Sequence, residues 1–362
     1  MKHLILPVAV ILLFSCKPLR PATYYTGLYT LHVYDSTRKF DKNFRPVKID
    51  LFFPAAKTIS KYPLSYEEIL DMAALRLNYS LPKDSCHITT HHIAQAIAQE
   101  FKLDSANSIF YYNTEVYTAE LPAKTTRKLP VIIYAASMNG SSWENIILFH
   151  RLVQQGYLVA AISSVGRYPG DMGATADLEE QVKDLLFTQR YLSALSMADT
   201  AHIGLLGWGL GGSAITKAAM QSSASKCLLS LDGTEIHWYG NEAEWDRECN
   251  KMMRGPQVYP QQIRVPYCYL GSEHPDMQQH SATTSHYYLK LNNARHEDFS
   301  SLISIAEHVQ PSLGSSHSKR QQLVGYLAGA FFDTYLKQQP TGFDKIIDSL
   351  LTGYPAEYSK AY

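Results

Sequence analysis

The chain carries no excess of charge: Lys plus Arg and Asp plus Glu each number 33 in 362 residues. A protein that grips nucleic acid needs a basic surplus to meet the phosphates, so that class is set aside. Long apolar runs are missing too. Residues 4–14 form an apolar stretch at the N-terminus, but it is too short to cross a bilayer. Cysteine is scarce, five in all, with no C-x-x-C pair and no zinc-type spacing. Structural zinc and dithiol redox chemistry therefore find no ligand set. No internal repeat or low-complexity tract occurs, which excludes solenoid and disordered architectures.

What is present suits a large core. The hydrophobic fraction is 46%, and the length fits one big α/β domain with insertions as well as two domains. Tyrosine is abundant at 25; it serves binding grooves, but equally strands and cores. The short basic start Met1-Lys2-His3, the apolar stretch and Ser15-Cys16 make residues 1–15 a signal peptide. Leu13-Phe14-Ser15-Cys16 resembles a bacterial lipobox, with Phe14 a loose fit. That resemblance implies lipidation of Cys16, a tether over residues 16–23, and an exported protein anchored at a periplasmic or outer-membrane face. Plain secretion is the alternative. Cys227 and Cys268 lie in apolar strand-like runs and read as inert core residues. Cys86 and Cys249 fall in expected insertions, and spacing alone does not establish a bridge between them.

Two opening strands, residues 24–34 and 45–54, are separated by a turn at Asp35-Ser36-Thr37-Arg38. Residues 64–78 and 88–102 show helical spacing and form a helical insertion, about 60–105. His87 and His91 are four apart within it, a possible metal pair with no third ligand spaced to join them. From residue 130 short apolar strands (130–135, 157–163, 202–206, 227–231, 266–270, 287–291) alternate with helices (142–155, 175–195, 213–221, 318–337). Continuous apolar strands of this kind are parallel and covered on both faces. The expectation is an α/β fold with a doubly wound, mostly parallel sheet, antiparallel N-terminal strands, a helical insertion and a small cap at 234–262. Residues 24–362 then form one domain.

The chemistry centres on residues 202–216, His-Ile-Gly-Leu-Leu-Gly-Trp-Gly-Leu-Gly-Gly-Ser-Ala-Ile-Thr. A strand, a glycine-framed turn and a small-residue helix start follow without a break, the outline of the nucleophile elbow G-x-S-x-G. The frame is Gly207-Trp208-Gly209-Leu210-Gly211, and Gly209 occupies the serine's place. In such a site a nucleophile, an acid and a histidine follow in that order along the chain. Asp232, after the strand ending at Leu231, stands where an acid belongs; Glu273 and Asp276, after the next strand, are rivals. His296, in Ala294-Arg295-His296-Glu297-Asp298-Phe299, has the place of the general base; His274 comes too early. The oxyanion loop would comprise Ala136 and Ser137 together with Leu210, and Ser213 reads as an inward-facing residue of the elbow helix.

These motifs resemble the α/β-hydrolase group that contains plasma-type platelet-activating factor acetylhydrolases and bacterial dienelactone-hydrolase-like relatives. The likeness covers roughly residues 24–335. It rests on the 35–54 stretch, Pro130-Val131-Ile132-Ile133-Tyr134, Glu144-Asn145 through Ile162, the elbow frame, Ser230-Leu231-Asp232-Gly233 and His296-Glu297-Asp298-Phe299. The resemblance implies hydrolysis of short or oxidised acyl esters, often of phospholipids, without metal or organic cofactor. It favours Asp232 as the acid. Two departures stand at the reaction centre: the family's serine aligns with Gly209, and its usual His-Gly with Ala136-Ser137. The leading expectation is therefore a degenerate, non-catalytic binder of a small acyl-ester or lipid-like ligand, held at the membrane by its lipid anchor. The alternatives are an ester hydrolase that uses His296 and Asp232 with water or a non-standard nucleophile such as Ser137, and a membrane-surface interaction module. The sequence names no protein partner.

Overall fold

Two long strands, β1 (Tyr25–Phe40) and β2 (Asn43–Ala55), open the chain as an antiparallel hairpin. The computed structural model describes residues 24–123, 127–173, 176–236, 247, 263–272, 284–339, 342–351 and 356–361. The signal segment, Cys16 and the tether lie outside these residues, as do Cys249, Glu273, His274, Asp276 and all but position 247 and the first turn of the expected cap. The hairpin turns at Asp41, which has a left-handed φ of 53°, and not at residues 35–38. The polar residues that read as a turn make a register shift between Asp35 and Lys39 instead. There the Asp35 carboxylate accepts from the Thr37 N–H at 3.0 Å and from Arg38 Nε at 2.7 Å. Turn-like side chains are thus satisfied inside a bulge, and the strand continues.

The helical insertion consists of α1 (Tyr66–Ala74) and α2 (Lys83–Phe101). Ser65 and Glu68 close a capping box at the start of α1, which satisfies two otherwise orphaned N–H groups. Ile69, Leu70, Ala94, Ile97 and Phe101 share one buried core with the sheet. Tyr66 Oη donates to the Trp143 carbonyl at 2.8 Å, which ties the insertion to the loop beside the site described below. His87 lies 3.5 Å from Asp71, and His91 packs edge-on against Phe110. Among the described residues no group of three His, Cys, Asp or Glu side chains could hold a metal ion.

The next elements are β3 (Val116–Thr118), β4 (Leu129–Ala135), α3 (Ile146–Gln154), β5 (Leu158–Ile162), α4 (Ala176–Tyr191), β6 (Ala198–Trp208), α5 (Leu210–Gln221) and β7 (Ser225–Leu231). They are followed by β8 (Tyr267–Gly271), β9 (His286–Leu291), α6 (Leu302–Val309), α7 (Ser316–Leu336), α8 (Phe343–Leu351) and β10 (Ala356–Ala361). The strand order is β10-β9-β8-β7-β6-β4-β5-β2-β1-β3. Strands β5, β4, β6, β7, β8 and β9 are mutually parallel, and β2 and β10 join them antiparallel. The doubly wound, mostly parallel sheet expected from the sequence is present.

Each parallel strand buries both faces. In β4, Ile132 and Tyr134 enter the core shared with α3 and α7, and Val131, Ile133 and Ala135 enter the core shared with α4 and α5. This is the period-two alternation of a strand covered on both sides. Cys227 and Cys268 are buried in β7 and β8, and Cys86 is buried on α2. Among the described residues no helix is long and apolar enough to cross a membrane.

The order of connection reverses between β4 and β6, so the crevice beyond their C-terminal ends is where a ligand site is built in such sheets. The elbow that fills this place is packed backbone to backbone: a Cβ on Gly211 would overlap the carbonyl oxygen of Ala135. Gly211→Ala is expected to cost about 1–3 kcal/mol or more, because backbone cannot step aside as a flexible side chain can. Gly173→Ala, at a position with open space around it, provides the reference. Urea unfolding midpoints check this; equal midpoints for the two variants would contradict the packing.

Candidate active site

Gly209 joins β6 to α5 with φ 55° and ψ −119°. This is a conformation that glycine accepts easily and an L-residue occupies only under strain. Neighbouring backbone pins the turn. The Gly209 N–H donates to the Leu231 carbonyl at 3.1 Å, and its own carbonyl accepts from Gly212 and Thr234, each at 3.0 Å. A Cβ placed on residue 209 would stand 3.3 Å from His296 Nε2 and 3.5 Å from Ser137 Cβ. The elbow therefore keeps its shape and its orientation toward the histidine without carrying a side chain.

His296 sits on a short 3-10 turn, His296–Phe299, after β9. Its Nδ1 donates to Asp232 Oδ2 at 2.7 Å. Asp232 follows β7 with φ 45° and is fully buried. Its other oxygen, Oδ1, accepts from the Ser272 N–H at 2.7 Å, Ser272 Oγ at 2.9 Å and Tyr269 Oη at 3.1 Å. Burial alone would raise the Asp232 carboxyl, but the bond and charge of His296 and the Ser272 donors hold it below its ordinary value. Burial pulls the His296 imidazole down, and its bond to Asp232 outweighs that and holds it above the usual histidine value. With Nδ1 committed to the carboxylate, Nε2 is the nitrogen that faces residue 209. The imidazole is stacked on Trp208, ring centroids 4.8 Å apart at 21°, and Trp208 Nε1 donates to the His296 carbonyl at 3.3 Å.

Behind the turn, the Asp298 carboxylate accepts from the Arg295 N–H and from Arg320 Nη1, each at 2.9 Å, and also meets His317. This buried cluster fixes the loop that carries His296. Trp208, Tyr269, Ser272 and Asp298 were not singled out by the sequence reading. Trp208 and Asp298 lie inside quoted motifs, the elbow frame and His296-Glu297-Asp298-Phe299, whereas Tyr269 and Ser272 carry no such signal.

The oxyanion loop departs from the expected arrangement. In this architecture one donor comes from the residue after the nucleophile and one from the loop after the first parallel strand. Leu210 starts α5, whose first N–H groups have no partner within the helix. Ser137, by contrast, turns its N–H onto Glu144 Oε2 at 3.0 Å and its hydroxyl onto Glu144 Oε1. Tyr134 Oη also donates to Glu144, at 2.9 Å. Burial pushes the Glu144 carboxyl up to about 7, against the lowering effect of those donors. The Ala136 carbonyl accepts from Gln181 Nε2 at 2.7 Å. Ser213 is buried against Thr234, hydroxyl to hydroxyl at 2.6 Å. The residues brought together are thus Gly209, Asp232, His296, Ser137 and Glu144.

A ferulic acid esterase from Streptomyces cinnamoneus has a similar structure, with a TM-score of 0.61 at 16% sequence identity, over 92% of this chain and 96% of that one. This chain has the α/β-hydrolase fold. No protein-family model and no curated protein matches the sequence. At 16% identity the likeness carries the architecture alone, and the chemistry of this hydrolase-fold chain must be argued from its own residues.

The Asp232–His296 pairing has a direct readout. In Asp232→Asn the burial that lowers the imidazole loses its main opposition, so the His296 pKa should fall below its value in the parent protein. Titration of the His296 ring by NMR measures it, and an unchanged value would contradict the pairing.

Proposed function

We propose that this hydrolase-fold chain binds a small acyl-ester or lipid-like ligand over Gly209 and forms no acyl-enzyme at that residue. The observation that carries this reading is the elbow itself. Residue 209 holds the sharp turn at the switch point, with a paired His296–Asp232 facing it and no side-chain atom there to attack. Removing a nucleophile from such a site abolishes most of the rate and leaves what binding and the oxyanion donors supply. The acyl-ester ligand class is supported by the acetylhydrolase-like motifs. A tether through lipidated Cys16 belongs to the same proposal and would hold the site at a membrane face, near acyl-chain ligands.

A second reading, hydrolysis by another attacking group, is favoured by the condition of the acid–base pair. Asp232 is held by three donors besides His296, and Nε2 is left facing the gap at residue 209. A pair arranged in this way can accept a proton from a hydroxyl or from water.

Gly209→Ser separates elbow chemistry from fold. The new side chain would reach His296, but it must adopt φ near 55°, and the Ser137 N–H is already spent on Glu144. Loss of one oxyanion donor costs about 10²–10³ in rate, and the strained backbone about 1–3 kcal/mol. Turnover of short p-nitrophenyl esters by Gly209→Ser should therefore stay at least roughly a hundredfold below that of a complete serine esterase. Full restoration by this one substitution would contradict the account of the loop.

A further inference from the structure

The Ser137–Glu144 pair has more structure around it than a loop contact needs. Glu144 lies on a short 3-10 turn, Ser142–Asn145, and is 1% exposed. Ser142 Oγ donates to Asp50, which is itself paired with the buried Lys48. Asn145 Nδ2 donates to Tyr134 Oη at 3.0 Å, and Tyr134 Oη donates on to Glu144. The Glu144 carbonyl accepts from the Ser301 N–H at 2.8 Å, just beyond the turn that carries His296. Space for the carboxylate is secured by Gly140, where a Cβ would overlap it. Ser137, in contrast, is only partly buried. Its Cβ is 3.5 Å from the point where a Cβ of residue 209 would stand, and that point is 3.3 Å from His296 Nε2. A partly exposed serine, its hydroxyl on a fixed buried carboxylate, thus stands beside the empty nucleophile position that His296 Nε2 also faces.

We propose that Ser137 is the nucleophile of this site, with Glu144 as its proton acceptor and His296 as the acid for the leaving group, acting on short acyl esters seated over Gly209. The inference rests on the acyl-ester reading of the site and deepens its hydrolytic branch. Ser137 Oγ attacks the acyl carbon, and its proton passes to Glu144 Oε1. The carbon–oxygen bond to the alcohol breaks, and the departing alkoxide takes the Nε2 proton of the His296 imidazolium. Water then attacks the acyl-Ser137 carbon and gives a proton to the neutral His296. Ser137 Oγ leaves and recovers its proton from Glu144, so the net change is ester plus water to acid plus alcohol. The developing oxyanion falls near the N-terminus of α5, where the helix dipole favours negative charge. A nucleophile with an adjacent base is the general requirement for such catalysis, and a carboxyl titrating near neutrality suits the task.

The test is labelling of the purified full chain with a fluorophosphonate probe, with the adduct mapped by mass spectrometry. The expected result is an adduct on Ser137 that is absent in Ser137→Ala and forms at least tenfold more slowly in Glu144→Gln. His296→Ala should still take the label, because fluoride leaves unprotonated, but should lose turnover of ethyl butyrate, whose alkoxide needs a proton. No adduct, or an adduct that survives Ser137→Ala, overturns the proposal. Phenyl butyrate binding, followed by calorimetry on the same protein, separates the two failures. Binding without labelling removes only the role of Ser137, whereas absence of both also removes the acyl-ester reading. Mapping on the unmodified protein needs no variant to fold.

Discussion

A buried carboxylate has to find donors, and Asp232 is the place where this requirement organises the molecule. Its two oxygens draw together the end of β7, the end of β8 through Tyr269 and Ser272, and the loop after β9 through His296. Unpaired, such a charge would cost several kcal/mol. Three separate strand ends are therefore obliged to meet at one point. Meeting there turns Nε2 of His296 toward residue 209, and Trp208 holds the ring against rotation by stacking. The site's geometry thus follows from the solvation of one side chain.

Gly209 has the opposite character. It has no side chain to make a contact, and it relieves the strain that a serine would store at the same φ and ψ. The turn survives because backbone holds it: Gly211 packs on Ala135, and residue 209 is bonded to Leu231, Gly212 and Thr234. Shape and reactivity are separable in this fold, since the elbow is built by main chain and the attack by a single side chain. The Ser137–Glu144 contact makes the same point on the β4 side of the site. There a loop expected to offer an N–H to an oxyanion offers it to a buried carboxylate.

Much of this was legible in the sequence, for identifiable reasons. The alternating apolar strands and the glycine-framed elbow are local patterns, and β4 to β9 fall close to where those patterns place them. Chain order, which the topology imposes, points to His296; it leaves Asp232 open beside Glu273 and Asp276, and the family resemblance favours Asp232 among them. The residues that resisted reading depend on distant partners. Ser141-Ser142-Trp143-Glu144-Asn145 reads as a helix start, and nothing local says that Glu144 turns inward to Tyr134 and Ser137. Asp35-Ser36-Thr37-Arg38 reads as a turn, yet Arg38 reaches Glu180 and Asp184 on α4 and the strand runs on. The eight-residue α6 is too short for periodicity to declare it, and the edge strand β10, Ala-Glu-Tyr-Ser-Lys-Ala, carries no apolar run or strict alternation. Tyr269 and Ser272 carry no motif, and their role exists only because Asp232 is buried beside them.

The proposal to be tested is that an ester is seated over Gly209 by an elbow that contributes shape and no nucleophile. The most direct measurement is a crystal structure of the protein soaked with a short-chain ester analogue that cannot be cleaved. The account predicts an acyl carbon lodged between Gly209, Ser137 and His296, residue 209 near φ 55°, and His296 still bonded to Asp232. A relaxed residue 209, a His296 turned away from Asp232, or an analogue bound elsewhere would contradict it.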